Sequence, residues 1–201
     1  MDIPSPINLN QIEDAVDWSY EVNVKRPYRA KFINTIVDLL QKNASMSVLD
    51  LGSGPGLLAE EVLSRCPDIH YTAYDLSPAM HQLAKIRLGK LAQKVNFVEG
   101  SFKKKSWHKT IDQVDAIITL QAAHEVRHKN HTPTLFSYIF KLLKPDGIFL
   151  YCDHIVGPDA MQNNQLYMTL AEQQQVLENT GFEEIELLLQ YGSLALWQGR
   201  R

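Results

Sequence analysis

The sequence predicts an α/β protein: a doubly wound, mostly parallel seven-stranded sheet with one antiparallel strand near its edge. Three observations predict it. Apolar runs of strand length alternate with helix-period segments from about residue 46 almost to the end of the 201 residues, the pattern of a parallel sheet with helices on both faces. The first run passes directly into a glycine-dense turn, Gly52-Ser53-Gly54-Pro55-Gly56, with a helical pattern behind it. The last two runs are separated only by a short connection at Gly192, which makes them antiparallel neighbours.

Strands are expected at about 46–51, 70–75, 94–99, 114–121, 146–152, 182–190 and 193–199. Helices fall between them at about 55–65, 77–91, 133–143 and 163–179. Pro55 suits a first helical turn, where a missing N–H costs nothing. Ser77 before Pro78, and Thr132 before Pro133, read as helix caps. Lys144-Pro145-Asp146-Gly147 stops a helix and turns the chain into the fifth strand, and Gly181 ends the last helix. Ahead of the first strand, Trp18, Tyr20, Val22 and Val24 form a short apolar stripe. Phe32, Ile33, Ile36, Val37, Leu39 and Leu40 then read as an amphipathic helix. No glycine- or serine-rich linker follows. Residues 1–45 are therefore expected to be a helical extension packed on a domain spanning 46–201.

Composition excludes little and favours the ordinary. A net charge of −3 and a pI near 6.2 give no electrostatic case for a nucleic-acid partner, and Lys103, Lys104 and Lys105 read as a solvated loop. The polar stretch Met1 to Asn10 has no signal-peptide core, and no apolar run reaches membrane-span length. Cys66 and Cys152 stand far apart and form no metal motif. A cytoplasmic protein with reduced thiols, no membrane and a small-molecule partner is expected. The oligomeric state is left open.

Chemistry concentrates at the carboxyl ends of the strands, where open α/β sheets bind ligands. A dinucleotide needs Gly-x-Gly-x-x-Gly, yet here the third glycine, Gly56, comes one residue early and Leu57 fills the dinucleotide position. Asp50, just before the turn, would repel a pyrophosphate but favour a cationic ligand. Asp75 ends the second strand, where a carboxylate can accept both hydroxyls of a ribose.

Val48-Leu-Asp-Leu-Gly-Ser-Gly-Pro-Gly56 resembles the first motif of the class I S-adenosylmethionine-dependent methyltransferases, which have a Rossmann-like sheet. Tyr74-Asp75-Leu76-Ser77 resembles that family's acidic second motif, Asp115-Ala-Ile-Ile-Thr-Leu-Gln121 its fourth strand, and Leu142-Leu-Lys-Pro-Asp-Gly-Ile148 the turn before its fifth. The resemblance covers about residues 46–199 and implies S-adenosyl-L-methionine as cofactor. It implies that Gly52, Ser53, Gly54 and Gly56 hold the cofactor, with Asp75 on the ribose diol, Leu76 against adenine and Met80 nearby. Gln121 completes that set at the end of the fourth strand. Where the family often carries an acid after the glycine ending the third strand, this chain has Ser101. Its hydroxyl, or the N–H of Phe102, takes that place. The expected reaction is in-line methyl transfer to an O, N, C or S atom of a small acceptor. The alternatives are a binder that transfers nothing and a nicotinamide oxidoreductase; Leu57 and Asp50 argue against the latter.

His124-Glu125-Val126-Arg127-His128 also matches the His-Glu-x-x-His zinc signature, with His131 in range of a third ligand. The segment follows directly on a strand, and Pro133 biases residue 132 away from helix, so no metal is assigned. In the resembled family this loop borders the transferable methyl group. His124, Glu125 and, at the end of the fifth strand, His154 are therefore the candidate catalytic residues, histidine having an ordinary pKa near neutrality. Trp18, Tyr20, Arg26, Tyr28 and Arg29 of the extension are candidates for a lid over the site.

Overall fold

Every strand that the sequence predicts forms. The computed structural model describes residues 2–42, 45–158 and 160–201. Its strands are β1 (Ser47–Leu51), β2 (His70–Asp75), β3 (Val95–Glu99), β4 (Val114–Leu120), β5 (Leu143–His154), β6 (Glu183–Tyr191) and β7 (Leu194–Arg200). They make one seven-stranded sheet in the order β3-β2-β1-β4-β5-β7-β6. β2 runs parallel to both β1 and β3, and β4 is parallel to β5, while β7 is antiparallel to β5 and to β6. The helices are α1 (Ile12–Lys25), α2 (Arg29–Leu40), α3 (Leu57–Arg65), α4 (Pro78–Leu88), α5 (Thr132–Leu142) and α6 (Leu170–Thr180). None among the described residues is long and apolar enough to cross a membrane.

Two compact units divide the chain: Pro6–Gly100, and Ser101–Arg201 with the N-terminal residues up to Ser5. In the first, Phe32, Ile36, Val48, Leu49, Val62 and Tyr71 are enclosed. Ala15 of α1 packs with Ala79 and Met80 of α4, and Ile12, Trp18 and Leu83 close around them. In the second, Phe136 of α5 meets Phe149 and Tyr151 of β5 edge-on at 5.1 and 4.9 Å, and Phe149 stacks on Phe182 at 5.4 Å. Offset and edge contacts of this kind add to the large area such rings bury.

Four local expectations are corrected. α3 starts at Leu57 behind Gly56, whose φ of +80° makes it the N-cap, so Pro55 belongs to the turn and not to the helix. Thr132 is the first residue of α5, and its cap is His131, which makes no side-chain cap bond. The Lys144–Gly147 turn is a bulge inside β5: Val114 pairs with Leu143 but Ala116 with Ile148, and Asp146 has φ +63°. α6 begins only at Leu170, where Thr169 and Glu172 form a reciprocal capping box; residues 163–169 are not helical. Ser77 behaves as expected, its Oγ accepting from Met80 N–H at 3.0 Å ahead of Pro78.

Candidate active site

The glycine turn folds back on the end of β2. Gly52 N–H and Ser53 N–H donate to the Tyr74 carbonyl at 2.8 and 3.2 Å, and Gly54 N–H donates to Asp75 Oδ2 at 2.8 Å. The other Asp75 oxygen accepts from Ser77 N–H at 2.9 Å. Each oxygen keeps lone-pair capacity for a further donor. Burial pushes the Asp75 carboxyl above its ordinary range, against the pull of those N–H groups. Gly54 has φ +55°, and no atom lies within 4 Å of where its Cβ would be; the turn is open on that side. Gly56, by contrast, is fixed by packing, since a Cβ there would sit 2.9 Å from Ala84 Cβ.

The residues of the cradle fit an adenosyl cofactor. Ser53 Oγ is buried with no partner among the described residues, a polar atom that a bound ligand could satisfy. Leu76, directly after Asp75, is 51% exposed, an apolar face of the kind that an adenine ring covers. Met80 stands apart, its side chain taken up in the contact with α1. Asp50 lies beneath the turn, buried, accepting from the Tyr71 hydroxyl at 2.7 Å. Burial pushes its carboxyl up to about 7, Tyr71 opposes this and the Asp75 charge reinforces it. Ser101 and Phe102 are half-buried, and Ser101 Oγ accepts from Lys103 N–H at 3.3 Å.

Beyond β4 and β5 lies a second, densely bonded cluster. Leu120 is in register with Cys152, which brings the residues after one strand beside those after the other. Gln121 sits at φ +58°, an uncommon backbone for a non-glycine residue and one held by its N–H bond to the Cys152 carbonyl at 2.7 Å. Its side-chain amide is 3.0 Å from His154 Nε2, and His154 Nδ1 is 3.1 Å from Ser193 Oγ. With the amide donating, His154 carries its proton on Nδ1, and both ring nitrogens are engaged. Gln121 Oε1 and Thr119 Oγ1 are buried without partners among the described residues.

His124 is gripped from two sides. Its Nδ1 is 2.7 Å from Asp153 Oδ1, its backbone N–H donates to Asp153 Oδ2 at 2.9 Å, and its Nε2 is 3.4 Å from Glu125 Oε1. Burial alone would lower the imidazole pKa; Asp153 and then Glu125 override it and hold it up to about 10. Asp153, itself buried, is kept below the ordinary carboxylate range by His124 and by the His154 N–H, in spite of its burial. His124 is thus an imidazolium at neutral pH. The tyrosine ring of Tyr167 lies against both histidines, at 5.3 Å from His124 and 5.4 Å from His154.

The remainder of the loop is fastened by Arg127. Its guanidinium binds both oxygens of Glu125 at 3.1 and 3.2 Å and donates to the carbonyls of Ile3 and Pro4, each at 2.8 Å. Ile3 N–H returns a bond to the Arg127 carbonyl at 2.9 Å. Burial works to raise the Glu125 carboxyl, and His124 and Arg127 bring it below its ordinary value. Because Arg127 has φ +68°, the His-Glu-x-x-His segment is not a continuous helix. His124 faces Asp153, while His128 accepts from Asn130 N–H at 3.2 Å. Among the described residues no three metal-ligating side chains gather.

Sequence reasoning missed the partnership of Asp153 with His124 and the position of Tyr167. The parallel pairing of β4 with β5 was the available signal for the first. Nothing local marks the second.

Residues 48–147 match the family model described as a methyltransferase domain. A malonyl-[acyl-carrier protein] O-methyltransferase of Bacillus anthracis is 23% identical over 165 residues, 82% of this chain and 58% of the relative. An acetylserotonin O-methyltransferase of Gallus gallus is 32% identical over 145 residues, 70% of this chain and 40% of the relative. The chain therefore spans roughly half the length of these curated relatives. A carboxy-S-adenosyl-L-methionine synthase of Nautilia profundicola is 22% identical and matches over 87% of this chain and 86% of its own. Among solved structures, human N-acetylserotonin methyltransferase in complex with its cofactor shares the fold, with a TM-score of 0.72 at 19% identity over 96% of this chain and 57% of that one. The motif order, the fold and these similarities agree: the chain belongs to the class I S-adenosylmethionine-dependent methyltransferases.

Proposed function

We propose that the protein transfers a methyl group from S-adenosylmethionine to an acidic oxygen of a small molecule. The observation that carries the choice of oxygen is the clamping of the His124 ring between two carboxylates, Nδ1 at 2.7 Å from Asp153 and Nε2 at 3.4 Å from Glu125. When bound, the cofactor supplies a methyl group already activated on a sulfonium sulfur. The protein's part is to hold, align and exclude water.

Asp75 takes the ribose hydroxyls on the lone pairs that Gly54 and Ser77 leave open, and the Gly52–Gly56 turn lets backbone approach closely. Leu76 covers one adenine face, with the Ser101 hydroxyl or Phe102 N–H at the ring edge. Asp50 complements the cofactor's positive charge from below, and Met80 contributes by fixing α4. His124 already holds its proton and is therefore a donor to the nucleophile's oxygen. Its 3.4 Å contact with Glu125 is long for a hydrogen bond, so an acceptor oxygen can displace it and receive the Nε2 proton as a hydrogen bond. The acceptor binds as its oxyanion, and Glu125, kept a carboxylate by His124 and Arg127, steadies the imidazolium and takes no proton. Gln121 and His154 hold each other at 3.0 Å beside the imidazolium, the His154 ring 5.5 Å from that of His124. Ile3 and Pro4 fasten the loop that carries His124, through their bonds to Arg127. The buried thiols of Cys66 and Cys152 suit a reducing cytoplasm.

The test is transfer from methyl-labelled cofactor to a panel of phenols, carboxylic acids, amines and thiols of metabolite size. Label is expected in the oxygen acids, with His124→Gln lowering kcat far more than cofactor affinity. Transfer to amines alone, or full turnover by His124→Gln, would refute the assignment.

A further inference from the structure

We propose that Tyr71 takes part in cofactor recognition as a positioning residue: it acts through Asp50 and couples capture of the cationic cofactor to release of a proton. This rests on the cofactor assignment and not on the choice of acceptor. Asp50 of β1 pairs with Ala73 of β2. Tyr71 lies two residues earlier on the same face as Ala73, so its ring runs along β2 toward Asp50. The Tyr71 hydroxyl meets Asp50 Oδ2 at 2.7 Å. Both residues are enclosed, at 2% and 1% exposure. Two apolar side chains would fill this place with no desolvation cost, so packing does not call for a carboxyl here.

The two carboxyls that flank the glycine turn are held differently. Asp75 accepts from the N–H groups of Gly54 and Ser77, donors that suit the ionised form. The first N–H groups of the turn, those of Gly52 and Ser53, go to the Tyr74 carbonyl and not to Asp50. Asp50 has a hydroxyl instead. A hydroxyl donates to a carboxylate and accepts from a carboxylic acid, so this contact survives in either state. The phenol itself stays protonated, because burial and Asp50 push Tyr71 well above its ordinary value. Burial raises the Asp50 carboxyl, Tyr71 opposes this and Asp75 adds to it; no lysine, arginine or histidine among the described residues acts on it. On the helices of the same unit, Arg29 of α2 is bonded to Asn23 at 3.0 Å, Arg65 of α3 pairs with Asp38, and Glu60 of α3 pairs with Arg87 at 3.3 Å. His81 of α4 faces Asp75. Asp50 therefore lacks a counter-charge until positive charge reaches the turn. It then gives up its proton to water, Tyr71 changes from acceptor to donor, and the carboxylate is left to attract the cation.

The test is calorimetry with S-adenosylmethionine from about pH 5 to about 7, together with the Asp50 carboxyl-carbon resonance of the ligand-free protein. Wild-type affinity should fall by up to about tenfold per pH unit below the Asp50 midpoint, the slope of one proton released. Tyr71→Phe keeps the ring and should move both the affinity midpoint and the Asp50 resonance up by about 1 pH unit. A hydrogen bond to a charged acceptor is worth more than one to a neutral acceptor by about that amount. Asp50→Asn should flatten the pH response of binding. Circular dichroism separates an altered titration from a lost fold. A Tyr71 that merely packs would leave the midpoint in place when its hydroxyl is removed. That outcome, a flat wild-type response, or a pH response that persists in Asp50→Asn would each overturn the proposal. Absence of binding at every pH would defeat the cofactor assignment along with it.

Discussion

Replacing Asp153 by Asn tests the electrostatic account of the cluster most directly. The substitution keeps the side-chain shape and one acceptor oxygen but removes the charge that faces His124 at 2.7 Å. Removing one partner of a buried ion pair costs about 3–5 kcal/mol, because the other charge is left uncompensated. An independent figure comes from the imidazole. A shift from 6.5 to about 10 is worth about 5 kcal/mol at 1.36 kcal/mol per pH unit. The two agree in size. Their pH signs differ. The raised His124 pKa contributes stability that is complete below 6.5 and lost as pH rises through about 10. The lowered Asp153 pKa contributes above its ordinary 3.8, and that part is lost as pH falls through the folded value. The gap between wild type and variant should therefore be widest from about pH 4 to 6.5 and shrink steadily toward pH 10. Urea unfolding at several pH values measures the gap, and the His124 ring-carbon resonance measures the titration. In the variant that resonance should titrate far lower than in the wild type. A gap constant from acid to pH 10, or a wild-type His124 titrating near 6.5, would refute the reasoning.

Three further outcomes are expected. Asp75→Asn should weaken cofactor binding by about 10- to 100-fold in calorimetry, the worth of hydrogen bonds to a charged group. Asp50 has a raised pKa in the folded protein, so burying it costs stability that appears as pH climbs from 3.8 through about 7, reaching at most about 4 kcal/mol; unfolding of Asp50→Asn should lack this slope. Gly56→Ala should lose about 2–4 kcal/mol of unfolding free energy, because it combines a left-handed backbone with a Cβ pressed against Ala84.

The strands were legible because each is a continuous apolar run bounded by turn residues, and their ends fall within three residues of expectation. The last helix was not, because Asn163 to Met168 continues an apparent helical pattern while the decisive mark, Thr169 with Glu172, is a local cap signal that competes with it. The cradle was legible for a similar reason: strand, turn and acid are contiguous. The second cluster was legible only as a set of residue types. His124 alone suggests a base of neutral pKa, and it is the pairing with Asp153, 29 residues further along, and then with Glu125 that holds its proton on. The apolar stripe of Trp18, Tyr20, Val22 and Val24 was legible as a stripe but not by face: Val22 is buried, while Tyr20 and Val24 lie on the exposed side of α1.

The bonds from Arg127 to Ile3 and Pro4 join residues 124 and 123 positions apart. During synthesis Ile3 and Pro4 wait for these bonds until Arg127 has followed them. The Pro6–Gly100 unit can complete its parallel pairings in that interval. Contacts of such long sequence separation form late, since their loop must close before they are rewarded. The fastening of the Arg127 loop to Ile3 and Pro4 thus belongs to the closing stage of folding.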